Sequence, residues 1–348
     1  MKILRIVIVV MLLGAGVRAA FGQGESANRP ATAAAKSEAQ VTPELAILDT
    51  DIGDDIDDAF ALGLLLRSPE IKLLGITVTY GDTELRARLT DRYLEGARAR
   101  EIPVAVGRAT PQSNVFSQAA YARRERAHSH PDAVRFLLDQ INAHPGQITL
   151  IGIGPMVNVK DAIARAPDTF RKLKRVVMMG GSVSRGYDTA TSTNRPPDAE
   201  WNIARDPDGA SALLASGVPV FMMPLDSTQI HLEESLREKI LAFGSPVTDQ
   251  LTLLYHQWKG ATGNSTPTLF DPVAAAYAIH PELCPVTPLR LEVDAQGFTR
   301  PVNGVPNVQV CLKSDESGFL GLLLGRLTSP WHEPEPDSDA GGEPESPR

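Results

Sequence analysis

A single α/β domain, with a mostly parallel central sheet flanked by helices, is predicted from three features of the sequence. Short, nearly continuous apolar runs alternate with helix-period segments, glycines and polar groups gather after those runs, and the first run feeds a turn dense in carboxylates. Strands buried on both faces read as unbroken apolar text, so this alternation indicates a parallel sheet covered on both sides. Strands are expected at 45–50, 73–79, 103–106, 148–153, 175–179 and 218–223, with helices between them at about 56–67, 83–99, 131–143, 156–166 and 206–216. Asp206-Pro207 opens the last of these, a capping aspartate followed by proline at the first helical position. Beyond them the pattern predicts helices at about 232–243, 246–259 and 271–279, two antiparallel strands within 289–313, and a closing helix at 315–327. No repeat and no linker interrupts 44–330, which is therefore expected to be one domain.

The ends of the chain read differently. Lys2 and Arg5 precede an apolar stretch at 6–17 and the small residues of Ala19-Ala20-Phe21-Gly22. That is the composition of a secretory signal over 1–22, cleaved after Ala19 or Gly22, and it implies a secreted or periplasmic protein with no stable membrane association after cleavage. Residues 23–43 read as a flexible linker and 331–348 as an acidic disordered tail. At 348 residues and 43% apolar content the chain can bury a substantial core. A net charge of −8, with no basic stripe interleaved with aromatics, argues against nucleic acid as a partner. Only Cys284 and Cys311 are available for a disulfide, and two buried free thiols fit the sequence equally well. No Cys/His spacing suited to zinc occurs.

The chemistry concentrates at Asp49-Thr50-Asp51-Ile52-Gly53-Asp54-Asp55-Ile56-Asp57-Asp58, six carboxylates in ten positions. The run reads as a strand end, a glycine turn and a helix start, where an α/β sheet places its ligand. Helix capping would use one or two aspartates, not six. So many like charges in a cleft need water or a cation, and an all-oxygen cluster of this charge favours Ca²⁺ over Mg²⁺. Polar groups recur after later strands, at Gly81-Asp82, Gly154 to Asn158 and Met179-Gly180-Gly181. Asn194, Glu200 and Asn202 can bond sugar hydroxyls, and Trp201 can pack on an apolar face. Asp271, before Pro272, reads on its own as a simple helix cap.

Taken in order, Asp-Thr-Asp-x-Gly with Asp-Asp-Ala, Gly154–Asn158, Met-Gly-Gly, Ala-Glu-Trp-Asn-Ile and the aspartate-proline at 271 resemble the calcium-dependent, inosine-uridine type nucleoside hydrolase family over residues 45–328. The resemblance implies a Rossmann-like single domain that cleaves the N-glycosidic bond of a small-molecule ribonucleoside to free base and ribose. It implies that Asp51 is the general base. It further implies Ca²⁺ held by Asp51, Asp58, Asp271 and the Val157 carbonyl, with Asp55 an alternative to Asp58, and ribose hydroxyls held by Asp57, Asn194, Glu200 and Asn202. The chain departs from the family pattern in three places. Two residues are added before Asp57; Asp82 replaces a common asparagine among the expected substrate contacts; and Phe270 stands where many members carry a histidine that protonates the leaving base. His128 and His130 are the candidate replacements for that acid, and Tyr187 a weaker one. Phe270 also motivates a non-catalytic nucleoside- or sugar-binding protein, and Asp49-x-Asp51 a haloacid-dehalogenase-type phosphatase. The oligomeric state, dimer or tetramer included, is left open.

Overall fold

Along the first strand, β1 (Glu44–Thr50), Ala46 and Leu48 enter one core while Ile47 enters the other, as the two-residue side-chain period of a strand requires. The structure is a computed structural model and describes residues 42–189, 191–193 and 195–330. The expected signal segment, nearly all of the linker, Asn194 and the acidic tail lie outside the described residues.

The other strands are β2 (Ile71–Val78), β3 (Val104–Val106), β4 (Thr149–Gly152), β5 (Arg175–Met179), β6 (Val220–Met223), β7 (Val286–Leu289), β8 (Leu291–Val293), β9 (Thr299–Pro301) and β10 (Val308–Cys311). Eight of them form one sheet in the order β3-β2-β1-β4-β5-β6-β10-β7. Every neighbouring pair is parallel except β10 with β7. The first six therefore follow the doubly wound order, which reverses between β1 and β4. Beyond the carboxyl ends of strands at such a switch point the two connecting segments diverge and leave a crevice.

One face of the sheet is covered by α1 (Asp57–Leu66), α2 (Thr83–Gly96) and the helices Pro246–Thr262, Phe270–Ile279 and Glu316–Leu327. The other face is covered by the helices Ala133–Ala143, Val157–Arg165 and Pro207–Leu214. Helices α1 and Phe270–Ile279 are apolar all round because they pack between the sheet and other helices, which is why neither shows an amphipathic stripe.

The six parallel strands and the helices between them stand where the apolar pattern predicts. The region 289–313 differs from expectation. It supplies the antiparallel hairpin β8–β9, turning through Gly297 (φ 88°), but β10 leaves that hairpin to pair in parallel with β6. A partner more than eighty residues away leaves no local trace in the sequence, whereas a hairpin does. The two cysteines are joined: Cys284–Cys311 ties the segment after the helix Phe270–Ile279 to the end of β10, with Cα atoms 5.6 Å apart. Such bonds persist in oxidising compartments.

Candidate functional site

The crevice at the switch point is a cleft of about 220 Å³ lined by Asp51, Asp54, Asp55, Asp57, Asp58, Asn114, Ile153, Met179, Tyr187, Glu200, Trp201, Asn202, Phe270 and Asp271. Asp51 leaves the end of β1 and Ile153 the end of β4, so the two strands at the reversal supply its floor. Gly53 turns the chain at φ 127°, and a Cβ there would lie 2.3 Å from the Phe116 ring. Gly154 lets the β4 segment approach: a Cβ there would lie 2.9 Å from the Asp51 amide and carboxylate.

Two helix starts deliver the other carboxylates. Asp57 and Asp58 occupy the first turn of α1, whose cap position, Ile56, makes no side-chain bond. Asp271 lies in the first turn of the helix Phe270–Ile279, capped from Leu269, so Asp271 is not the N-cap that its proline neighbour suggests. Both helix dipoles present their positive ends to the cluster, which favours carboxylates there. The Asp271 amide donates to the Asp57 carboxylate at 3.2 Å, and Thr50 Oγ1 donates to Asp58. Carboxylate oxygens of Asp57, Asp58 and Asp271 all lie within 4.8 Å of one another. Each such pair repels by about 3–4 kcal/mol at an effective dielectric near 20. Burial, together with this mutual repulsion, pushes all three carboxyls well above the usual range. Asp51 is pushed by burial to about 7, against the attraction of Arg86.

Arg86 is not legible in the sequence, where it is one arginine among several on α2. Its side chain is fully buried and its guanidinium is spent on the turn. It donates to the carbonyls of Asp51, of Ile52 at 3.0 Å and of Tyr80 at 2.7 Å, and to the Asp54 carboxylate at 3.0 Å. Arg86→Met is expected to strip this donor from the three carbonyls and to leave the Asp54 carboxylate only its bonds from Gln112 Nε2 at 3.1 and 2.9 Å, costing about 3–5 kcal/mol, measurable by denaturant unfolding. A loss below about 1 kcal/mol would show the clamp to be dispensable. Below the cleft, Asp49 Oδ1 accepts from Thr77 Oγ1 at 2.6 Å and Asn158 Nδ2 at 2.7 Å, tying β1 to β2 and to the helix Val157–Arg165. Asp49 does not line the cleft.

On the opposite wall, Glu200 caps the short helix Trp201–Arg205, accepting from the amides of Asn202 (2.9 Å), Ile203 (3.1 Å) and Gly181 (2.9 Å). Burial raises its carboxyl to about 7 even against these three bonds. Asn202 Nδ2 donates to the carbonyls of Met179 at 3.2 Å and Ile153 at 3.4 Å. Trp201 stacks under Arg205, whose guanidinium carbon is 3.9 Å from the ring centroid, and meets Tyr80 edge-on. Tyr187 Oη accepts the Trp201 amide at 2.9 Å, which leaves its own proton free, and its ring meets Phe270 edge-on at 6.0 Å. Burial, with Glu200 nearby, raises the Tyr187 hydroxyl, so it keeps its proton at neutral pH.

The structure thus gathers Asp51, Asp55, Asp57, Asp58, Glu200, Trp201, Asn202, Phe270 and Asp271 into one cleft, with Asp55 exposed at its mouth. Four residues singled out in the sequence are placed elsewhere. Val157 is buried in the first turn of the helix Val157–Arg165 and does not line the cleft; Ile153, four residues earlier at the end of β4, does. Asp82 is exposed and caps α2 through the Leu85 amide at 3.1 Å. His128 and His130 face Asp91 in a separate cavity, so neither reaches a base leaving from the cleft. In their place the cleft holds Tyr187 and Asn114, the latter from a polar loop that carries no motif. Among the described residues, two triads could hold a metal ion: Asp57, Asp58 and Asp271 in the cleft, and Asp91, His128 and His130 outside it.

Residues 46–321 match the sequence profile of the inosine-uridine preferring nucleoside hydrolases. The pyrimidine-specific ribonucleoside hydrolase RihA of Citrobacter koseri is 32% identical over 319 residues, covering 81% of this chain and 97% of that one. A solved plant nucleoside hydrolase superposes with a TM-score of 0.73 at 25% identity, covering 83% of this chain and all of that one. The purine-preferring ribonucleoside hydrolase of Gardnerella vaginalis superposes with a TM-score of 0.69 at 25% identity, covering 82% and 98% of the two chains.

Proposed function

Because the chain belongs to the inosine-uridine preferring nucleoside hydrolase family and is a hydrolase of N-glycosyl bonds, we propose that its cleft hydrolyses ribonucleosides with Asp51 as general base beside a bound Ca²⁺. The observation that carries this reading is the convergence of Asp51, Asp57, Asp58 and Asp271, all buried, at the sheet's switch point. The donor set fits a hard divalent cation: carboxylate oxygens of Asp57, Asp58 and Asp271 within 4.8 Å of one another, in a buried cluster whose repulsion a cation would relieve. Asp51, Asp58, Asp271 and the Ile153 carbonyl would hold the ion. When bound, it lowers the pKa of a water molecule and fixes that molecule's position.

The chain's own groups do the rest. The Asp51 carboxylate takes the proton of the attacking water. Loss of the base leaves an oxocarbenium-like sugar, and the anionic floor stabilises that developing positive charge. Asp57, Glu200 and Asn202 hold the sugar hydroxyls, with Asn194 expected beside them. Their contacts lie away from the breaking bond and fix its orientation. Trp201 and Phe270 form apolar walls for the base, and the Tyr187 hydroxyl offers it a hydrogen bond as it departs. Neither the phosphatase nor the non-catalytic reading gains support from the relatives.

The two relatives with named preferences take opposite bases, so the test is a panel of purine and pyrimidine ribonucleosides with and without Ca²⁺. Release of free base and reducing sugar that chelation abolishes is the expected result. Turnover unaffected by chelation would remove the ion from the mechanism, and no turnover on any nucleoside would remove the activity.

A further inference from the structure

Outside the cleft, Asp91 on α2 and His128 and His130 on the 123–132 segment converge on one point. His130 Nε2 lies 2.8 Å and His128 Nε2 3.6 Å from the same oxygen, Asp91 Oδ2. The two imidazole rings are 4.2 Å apart between centroids and tilted by 40°, and one ligand atom from each of Asp91, His128 and His130 lies within 4.8 Å of the others. His128 Nδ1 lies 3.4 Å from the Arg126 carbonyl, and donation there leaves Nε2 as the lone-pair nitrogen. The His130 side chain is only 4% exposed, yet its Nδ1 has no hydrogen-bond partner. A cavity of about 450 Å³ opens beside the triad, with room for a further ligand.

We propose that Asp91, His128 and His130 form a second metal site, selective for an imidazole-preferring transition ion of the Zn²⁺ class and separate from the aspartate cluster. Two imidazoles and one carboxylate with an open position suit Zn²⁺, whereas an all-oxygen set suits Ca²⁺; one chain thus sorts two metals by ligand chemistry. The site shares structural elements with the cleft. The same α2 carries Arg86, which clamps the Asp51 turn. The segment that ends in the histidines begins with Gln112, whose amide donates to Asp54 at 2.9 Å, and includes Gln118, whose amide N–H donates to the Gly53 carbonyl at 3.1 Å. Arg88 and Arg92 of α2 already hold carbonyls of this segment at Arg123, Glu125 and Tyr121. An ion at the triad fastens the distal end of the segment to the helix that supports the turn.

The test uses the full chain with Ca²⁺ saturating, stripped of transition metals, and titrated with Zn²⁺ by calorimetry and with Co²⁺ by visible absorption. One equivalent of each is expected, with Co²⁺ giving the bands of a low-coordinate nitrogen-oxygen site. Zn²⁺ is also expected to slow tryptic cleavage at the exposed Arg123, Arg124 and Arg126. His130→Asn, and independently the more exposed His128→Gln, are expected to weaken Zn²⁺ binding by at least roughly 100-fold while Ca²⁺-dependent hydrolysis without Zn²⁺ persists. Zn²⁺ uptake equal in the parent and both variants would place the ion elsewhere and overturn the proposal. Absence of uptake at micromolar Zn²⁺ would leave the triad a histidine–aspartate hydrogen bond and overturn it too. Because binding is read directly, either failure is distinguishable from a failure of the hydrolase reading.

Discussion

Asp51→Asn is expected to lower kcat for nucleoside hydrolysis by about 10²–10⁴-fold while raising the melting temperature of the ion-free protein. The first half follows from its position: Asp51 is the carboxylate at the end of the central strand, sharing the cleft with the other acids and with Glu200 and Asn202. The second half follows from its energetics. Burial holds the Asp51 carboxyl near 7 rather than near the value of a free aspartate, so ionising it in the folded chain is unfavourable. Asparagine keeps the shape and removes the charge. Without the ion, the gain above pH 7 is of the order of a few kcal/mol, since each tenfold change in proton affinity between the folded and unfolded chain corresponds to about 1.4 kcal/mol. Thermal unfolding and steady-state kinetics on the same preparation check both halves. Lost activity accompanied by a lower melting temperature would assign Asp51 a structural role instead.

The second large effect couples pH to calcium. Burial pushes Asp51 and Glu200 up to about 7 in the folded chain, and burial with mutual repulsion holds Asp57, Asp58 and Asp271 well above the usual carboxylate range. In the unfolded chain these carboxyls titrate near 4. Between those values the folded ion-free protein holds more protons than the unfolded one, so its stability falls as pH rises from about 4 through about 7. Calcium is expected to reverse the slope, because the proposed binding requires the deprotonated carboxylates that the higher pH supplies. At a concentration about a thousandfold above Kd it adds about 4 kcal/mol, or roughly 10 °C in Tm. The expected result is a large calcium-induced shift at pH 8 and nearly none at pH 5. Equal shifts at the two pH values would mean that the ion does not bind the raised carboxyls.

Local text carries a good deal of this. An apolar run ending in Asp-Thr-Asp-Ile-Gly, followed by Asp-Asp-Ala-Phe-Ala-Leu, is a strand, a turn and a helix start whatever follows it. The Glu200-Trp201-Asn202 cap is equally local, since Glu200 bonds amides two and three residues ahead. The text misleads where geometry depends on how far a strand extends before its helix begins. Val157 lies four residues beyond Ile153, and only the placement of β4 beside β1 shows that Ile153, not Val157, lines the cleft with Asp51. Asp82 carries the same charge as the aspartates of the cleft, but its carboxylate is consumed by its own helix. His128 and His130 suit a proton donor by residue type, and residue type cannot say which cavity a loop faces.

By itself, then, the sequence determined the parallel layered architecture, the acidic turn and the order of the motifs, because hydrophobic period and turn chemistry act over a few residues. Tertiary structure alone decided that Asp271 meets Asp57, that Arg86 fastens the turn, that β10 joins β6 and that Cys284 meets Cys311. Each of these except the disulfide spans more than thirty residues of chain, and all four depend on the strand order and on which face of the sheet each helix covers. Pairings of that kind are fixed by the burial of the whole core, a quantity that no short stretch of sequence contains.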